Sequence, residues 1–413
     1  MTADTGSTAL GAINSPVPKG FVEGTHRTVR PESTISRVLA HAGALGITRL
    51  ANITGLDRIG IPVVVVCRPN SRSVAVSQGK GLTLEAAKAS GLMEATELAH
   101  AEQLDLPVRL ASRTELCGEG KVLDVARLPV RRGRRFDPRA QMLWVRGVDL
   151  LSGEPTSVPY DSVHCDLAQA SNPNRSCFPV TSNGLASGNH LVEATSHALC
   201  ELVERDAMRR WQRLSPNSRA GTRLDLSSVE DGACRSVLGL FAAAGIAVAA
   251  WEMTSPVAIP AFRCAIADSE EAGGVGSLYT ALGYGCHPHR PVALLRALTE
   301  AAQSRAGMVA GSRDDVFASE YARYLDPEVQ ARQRSQLTRQ AGGRPFADGP
   351  GWYAASLEED LGRELECLAA AGVRQAVMVD LTRREIGIPV VRVVVPGIHA
   401  IHGNLSQGAD LLA

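Results

Sequence analysis

SGNHLVEATSHALCELVERDA, residues 187–207, is the stretch on which the reading of this chain turns. At about 100° per residue, Glu193, His197, Glu201, Glu204 and Arg205 share one broad face of a helix, and the apolar residues fall mostly elsewhere. Carboxylates one turn apart repel, so such a stripe needs cations to offset it. Alone it could be a solvated face. Its flanks, however, are small and apolar rather than Lys and Gln, and the pattern recurs.

The first recurrence is GKGLTLEAAKASGLMEATELA, where a Gly-rich loop leads into a helix with Glu94 and Glu97. The second is GYGCHPHRPVALLRALTEAAQSR, a Gly-bearing loop and then a helix with Glu300 and Gln303. A small residue stands three positions before the first Glu each time: Gly91, Ala198 and Ala297. Strand patterns repeat too, as IGIPVVVVCRP at 59–69, IPAFRCA at 259–265 and IGIPVVRVVVP at 386–396. Repetition of strand, turn, strand, Gly loop and acidic helix is the main organisational fact. Hairpins are expected near 47–69 and 143–165, and residues 1–25, rich in Gly, Ser, Thr and Pro, are expected to be poorly ordered. Residues 316–350 lack periodicity and read as a surface excursion.

The net charge of zero and 4% aromatic content leave no electrostatic footprint or stacking platform for nucleic acid. Nine cysteines, an odd number with no CxxC, read as reduced thiols in a cytoplasmic protein. The longest apolar runs, near Val63 and Val393, are strand-length and cannot span a membrane.

Paired glutamates on two helices are hard oxygen ligands that suit Mg²⁺ better than Zn²⁺, and Mg²⁺ completes its shell with water and phosphate. Four such carboxylates exceed one ion's needs, which points to several Mg²⁺ ions bridging a nucleotide, with Arg205 in reach of a phosphate. SQGKG at 77–81 is not a GxxxxGK[ST] loop, and no GxGxxG opens a βαβ unit. The cluster Cys286, His287 and His289 lacks a matching Cys/His pair and reads as a turn, not a zinc site. His197 could be a base but reads more simply as a supporting or packed residue.

These motifs together resemble the YcaO superfamily of ATP-dependent peptide-backbone-modifying enzymes. The resemblance rests on SQGKG with the MEATE helix, SNGLASGN with LCELVERDA, LRALTEAAQSR with GSRDD, and the closing GIPVVRVVVPG. It covers roughly residues 26–400. It implies an α+β fold of the YcaO type, with repeated β-hairpin and acidic-helix units around a central nucleotide site in one catalytic domain over 26–413. It also implies ATP and Mg²⁺ as cofactors. Glu94, Glu97, Glu201 and Glu204 would hold Mg²⁺; Glu201, Glu204 and Arg205 would be catalytic, Arg205 touching phosphate. Arg27, Thr34, Ser77, Asn189, Glu193 and Arg305 would bind the nucleotide or its metal shell, and Glu300, Gln303 and Arg313 would line the site. The implied reaction is phosphorylation of a peptide amide oxygen followed by attack of a nucleophile. Azoline-forming members end in a proline-rich tail, whereas this chain ends LSQGADLLA. It is most similar to thioamide-forming members that act on a peptide or protein with a TfuA-like partner and a sulfur donor. Cyclodehydration to an azoline, or a nucleotide-binding scaffold without catalysis, are the alternatives, and a homodimer stays open.

Overall fold

Four consecutive valines in Val63–Cys67 favour an extended, fully buried strand, and in the computed structural model they form the centre of a three-stranded sheet. The structure describes residues 16–169, 177–269, 280–312, 326–338 and 343–398. The first unit comprises helix α1 (Pro31–Leu39), strands β1 (Arg49–Asn52), β2 (Val63–Cys67) and β3 (Val76–Lys80), and helix α2 (Leu84–Glu102). The strands pair antiparallel in the order β1-β2-β3. Thr83 caps α2 by accepting from the Ala86 amide.

The middle of the chain supplies β4 (Arg109–Ala111), β5 (Lys121–Val122), β6 (Met142–Asp149), β7 (Pro155–Pro159) and β8 (Leu185–Ser187), then the acidic helix α3 (Leu191–Gln212). Helix α4 (Gly232–Ala243) follows. Next come β9 (Ile246–Glu252), β10 (Ala261–Asp268) and β11 (Ala281–Cys286), a second antiparallel three-stranded sheet, and helix α5 (Arg290–Ala310). Helices α6 (Pro327–Thr338) and α7 (Leu357–Ala370) lead to β12 (Val377–Asp380) and β13 (Val390–Val394). These last strands lie between β6 and β8 in a seven-stranded sheet ordered β5-β7-β6-β12-β13-β8, with β4 beside β6.

Gly79 and Gly283 stand inside β3 and β11, where the sequence suggested loops. A Cβ on Gly79 would overlap the backbone of Ala87 and Gly91 on α2, and one on Gly283 that of Ala297 and Ala301 on α5. The glycines are there because an acidic helix lies directly on its strand. Residues 16–25 also correct the expectation of poor order. Val17 is buried, and Lys19 forms a 2.6 Å ion pair with Asp360 of α7. Two paired ends of low exposure fix a segment whose composition alone suggests a tail. Residues 1–15 lie outside the described residues. Helix α6 corrects the expectation of a surface excursion, since its Leu337 is buried in the main core; the rest of the helix is mostly polar, so no apolar period announced it.

Candidate active site

The three acidic helices are each tied by the same bond to the strand before them, or, for Gly184, to the turn that opens that strand. The Gln78 amide donates to Glu94 Oε2 at 3.2 Å, the Gly184 amide to Glu201 Oε2 at 3.0 Å, and the Tyr284 amide to Glu300 Oε1 at 3.2 Å. The repeat seen as text is therefore a repeated physical contact, which aims one carboxylate per unit at a common centre.

A second rank of carboxylates joins the units. Glu97 of α2 accepts from the Ser187 amide and hydroxyl of β8 at 2.9 and 2.8 Å. Burial pushes its carboxyl up to about 8, and the nearby charges of Glu94 and Glu201 add to the rise against the two Ser187 bonds. Glu204 is likewise raised, by burial and then by Glu300 and Glu201, with Arg205 opposing. Arg205 lies 3.6 Å from Glu201 and 3.7 Å from Glu204. Burial disfavours its charge, but the surrounding glutamates outweigh that and hold it firmly protonated. Lys80, the Lys of SQGKG, meets Glu300 at 3.0 Å and with Arg205 keeps that carboxyl low despite its burial.

At the other end of α3, Glu193 is buried and accepts from the Thr28 amide (2.9 Å), the Thr28 hydroxyl (3.0 Å) and the Asn189 amide (3.3 Å). Arg27 pairs with it at 3.4 Å, and Thr34 donates to Asn189 Oδ1 at 3.0 Å. Thus Arg27, Thr34, Asn189 and Glu193, drawn from opposite ends of a 167-residue span, form one connected group. Ser77 is buried in β3 beside the amide that holds Glu94.

Arg305 is placed elsewhere. Its Nε donates to Asp57 at 3.1 Å, and its two other nitrogens to Asp268 at 3.3 and 3.0 Å. With three per cent exposure, it is committed to tying α5 to the strand sheet rather than turned to a nucleotide. Arg313 lies outside the described residues. The sequence reading gave no role to Thr28, Ser187, Lys80 or Arg296. Ser187 and Lys80 sit inside motifs already quoted, but nothing in their spacing told which carboxylate each would meet.

The donor set fits divalent ions. Glu94 and Glu201 lie close enough to Glu97 to push its carboxyl up, and hard carboxylates this close together call for cations. Among the described residues no three His, Cys, Asp or Glu side chains converge to hold a metal by themselves. Mg²⁺ needs no such cage, because one or two carboxylates with water and phosphate oxygens complete its octahedron. His287 meets the His26 ring edge-on at 4.9 Å, and His289 stacks on it at 5.3 Å.

Residues 78–399 match the profile of the family described as YcaO cyclodehydratase, ATP- and Mg²⁺-binding. The chain belongs to the YcaO family. A Rhizobium leguminosarum bv. trifolii protein, described as an uncharacterized protein in the tfuA 3′ region, is 37% identical over 92% of this chain and 90% of its own length. A Methanothermobacter thermautotrophicus protein is 33% identical over 90% of this chain and 94% of itself. Among solved structures, YcaO from Methanopyrus kandleri, bound with AMPPCP and Mg²⁺, superimposes with a TM-score of 0.71 at 26% identity, covering 92% of this chain and 94% of that one. A heterocyclase in complex with substrate and cofactor shares the fold, with a TM-score of 0.76 at 23% identity. The α+β architecture is thus that of the YcaO enzymes. Among the described residues no helix is long and apolar enough to cross a membrane.

Proposed function

We propose that this YcaO protein uses Mg²⁺ and ATP to convert a peptide backbone amide into a thioamide. The observation that carries the first half is the chain of neighbouring carboxylates from Glu94 and Glu97 to Glu201, Glu204 and Glu300, with Arg205 among the last three, a charge arrangement that folding alone does not require. Mg²⁺ bound there would neutralise the phosphate charge and align the transferred phosphoryl group. Arg205, kept charged by its glutamates, is the group that meets the phosphate. Arg27, Thr34, Asn189 and Glu193 form the far wall that would receive the nucleoside or its metal shell. Residues 26–413 would work as one catalytic domain, in the cytoplasm.

The second half rests on the Rhizobium relative, whose description places it beside tfuA; we infer a TfuA-like partner that helps supply sulfur. An amide oxygen is a poor leaving group. ATP phosphorylates it, with ADP leaving and the amide N–H proton released. Hydrosulfide then adds through sulfur to the amide carbon, the C–O bond breaks, and the phosphate departs. Overall, amide, ATP and hydrosulfide give thioamide, ADP and hydrogen phosphate, with no change of oxidation state.

The test is reconstitution with ATP, Mg²⁺, sulfide, a candidate peptide and a TfuA-like protein, read by intact mass. A thioamide adds about 16 Da, whereas an azoline loses about 18 Da, because the two fates of the same activated amide differ in what replaces oxygen. Loss of water without sulfide would select the azoline reading. Nucleotide binding with no product and no ADP in any combination would select the scaffold.

A further inference from the structure

Among the described residues, most cations near these carboxylates are paired with one. Arg392, close to Glu201, donates to the Ser162 carbonyl and the Thr181 hydroxyl instead. Arg27 pairs with Glu193, Lys80 with Glu300, Arg205 with Glu201 and Glu204, and Lys19 with Asp360. Arg296, one turn before Glu300 on α5, has no carboxylate within ion-pair distance among the described residues. Its Nη2 donates instead to His197 Nε2 on α3 at 2.8 Å. Both side chains are half-buried, between the Glu193 end of the cleft and the Glu300 end.

A guanidinium only donates, so His197 Nε2 must accept, and the ring proton sits on Nδ1. Burial, with Arg296, Arg27 and Lys80 close by, pushes the imidazole well below its ordinary range and keeps it neutral. Nδ1 is enclosed and has no partner, a cost the fold bears at this position. A carboxylate in place of His197 would have discharged Arg296. The imidazole orients the guanidinium without pairing its charge, which Glu204 and Glu300 feel from beyond ion-pair distance.

We propose that Arg296, oriented by His197, is the seat of a small anion and that its occupant in the reaction is hydrosulfide; the second clause rests on the thioamide reading above. The electrostatics supply the reason. Glu94, Glu97, Glu193, Glu201, Glu204 and Glu300 all line or adjoin the cleft, and an incoming anion is repelled by every one that is ionised. An undischarged guanidinium offsets that repulsion at one place. It stands on a different helix from Arg205, so the nucleophile's seat and the phosphate's are separate. Arg296 is a binding residue and His197 a positioning residue.

The experiment is calorimetric titration of the metal- and nucleotide-free protein with sodium hydrosulfide, and in parallel with inorganic phosphate, which reads the seat without turnover. Arg296→Gln should weaken hydrosulfide binding about 10- to 100-fold, the worth of one charge-assisted hydrogen bond. His197→Glu should weaken it as much by supplying the missing carboxylate, while His197→Gln, which keeps an acceptor for Arg296, should retain most of it. Turnover, where measured, should show a raised KM for sulfide with the KM for ATP unmoved. Because binding is read directly, these results support the seat even if no thioamide forms. Three outcomes overturn it: no saturable hydrosulfide binding by the wild type, binding untouched by Arg296→Gln, or phosphate bound at this seat in place of hydrosulfide.

Discussion

Replacing Glu97 by Gln separates what its charge does for folding from what it does for metal binding. Glu97, half-buried, points from α2 to Ser187 of β8, and its carboxyl is moved from the ordinary 4.5 to about 8. The sign follows from proton counting: between those values the folded state holds a proton that the unfolded state has lost. Stability is therefore full below pH 4.5 and falls as pH rises through 8. At about 1.4 kcal/mol per unit the shift bounds the loss near 5 kcal/mol, and partial exposure of the side chain reduces it to on the order of 2 kcal/mol. The Gln amide keeps the size of Glu, and its oxygen can still accept from the Ser187 amide and hydroxyl. The variant should thus lose this limb of the pH dependence and, at pH 9, unfold about 2–5 °C above the wild type in metal-free buffer. Mg²⁺·ATP should reverse the order, stabilising the wild type by binding only the folded state and the variant hardly at all. Thermal unfolding from pH 5 to pH 9, with and without Mg²⁺·ATP, measures both effects. The reasoning is refuted if the variant keeps the wild-type pH profile, or gains as much from Mg²⁺·ATP.

Three other perturbations test neighbouring parts of the structure. Glu201→Gln and Glu204→Gln should each lower ATP turnover by about a hundredfold or more while circular dichroism stays native, because each removes charge beside Arg205 without changing volume; near-normal ADP release would remove these residues from the chemistry. Gly283→Ala should cost about 1–3 kcal/mol in urea unfolding, since its methyl meets the backbone of Ala297 and Ala301, and backbone cannot step aside as a side chain can. Arg305→Ala should destabilise by about 1–3 kcal/mol, because it removes the ion pair of Asp57 and leaves Asp268 with Arg58 alone. Retained stability with lost nucleotide affinity would return Arg305 to the nucleotide site.

The parts of the fold that repeat locally were legible. The hairpin of β1 and β2, the strands β9 and β12, and the helices bearing Glu94, Glu201 and Glu300 all announce themselves by period and by turn residues. What stayed hidden was long-range pairing. Nothing in VMVD or VVRVV tells that β12 will join β6, or that β13 will join β8, some two hundred residues earlier. Glycine misled in a specific way: at 79 and 283 it reads as a loop when seen alone, and as a strand once a helix lies on it. The site residues were legible as residue types on a shared face. Their partners were not, since whether Arg305 faces a nucleotide or Asp268 depends on a strand 37 residues away. Arg27 and Thr34, named only through the resemblance, fall in one hydrogen-bonded group with Asn189 and Glu193.

The bonds from the Gln78, Gly184 and Tyr284 amides to Glu94, Glu201 and Glu300 also couple the cleft to its sheets. A carboxylate drawn toward a bound cation shares its electrons between that ion and the backbone amide behind it, so filling the site pulls on β3, on β11 and on the turn that opens β8 at once. Each of those amides is then a local gauge of occupancy. Their hydrogen-exchange rates should change together when the cleft fills, in three places far apart in the chain, while amides elsewhere in the same strands change less.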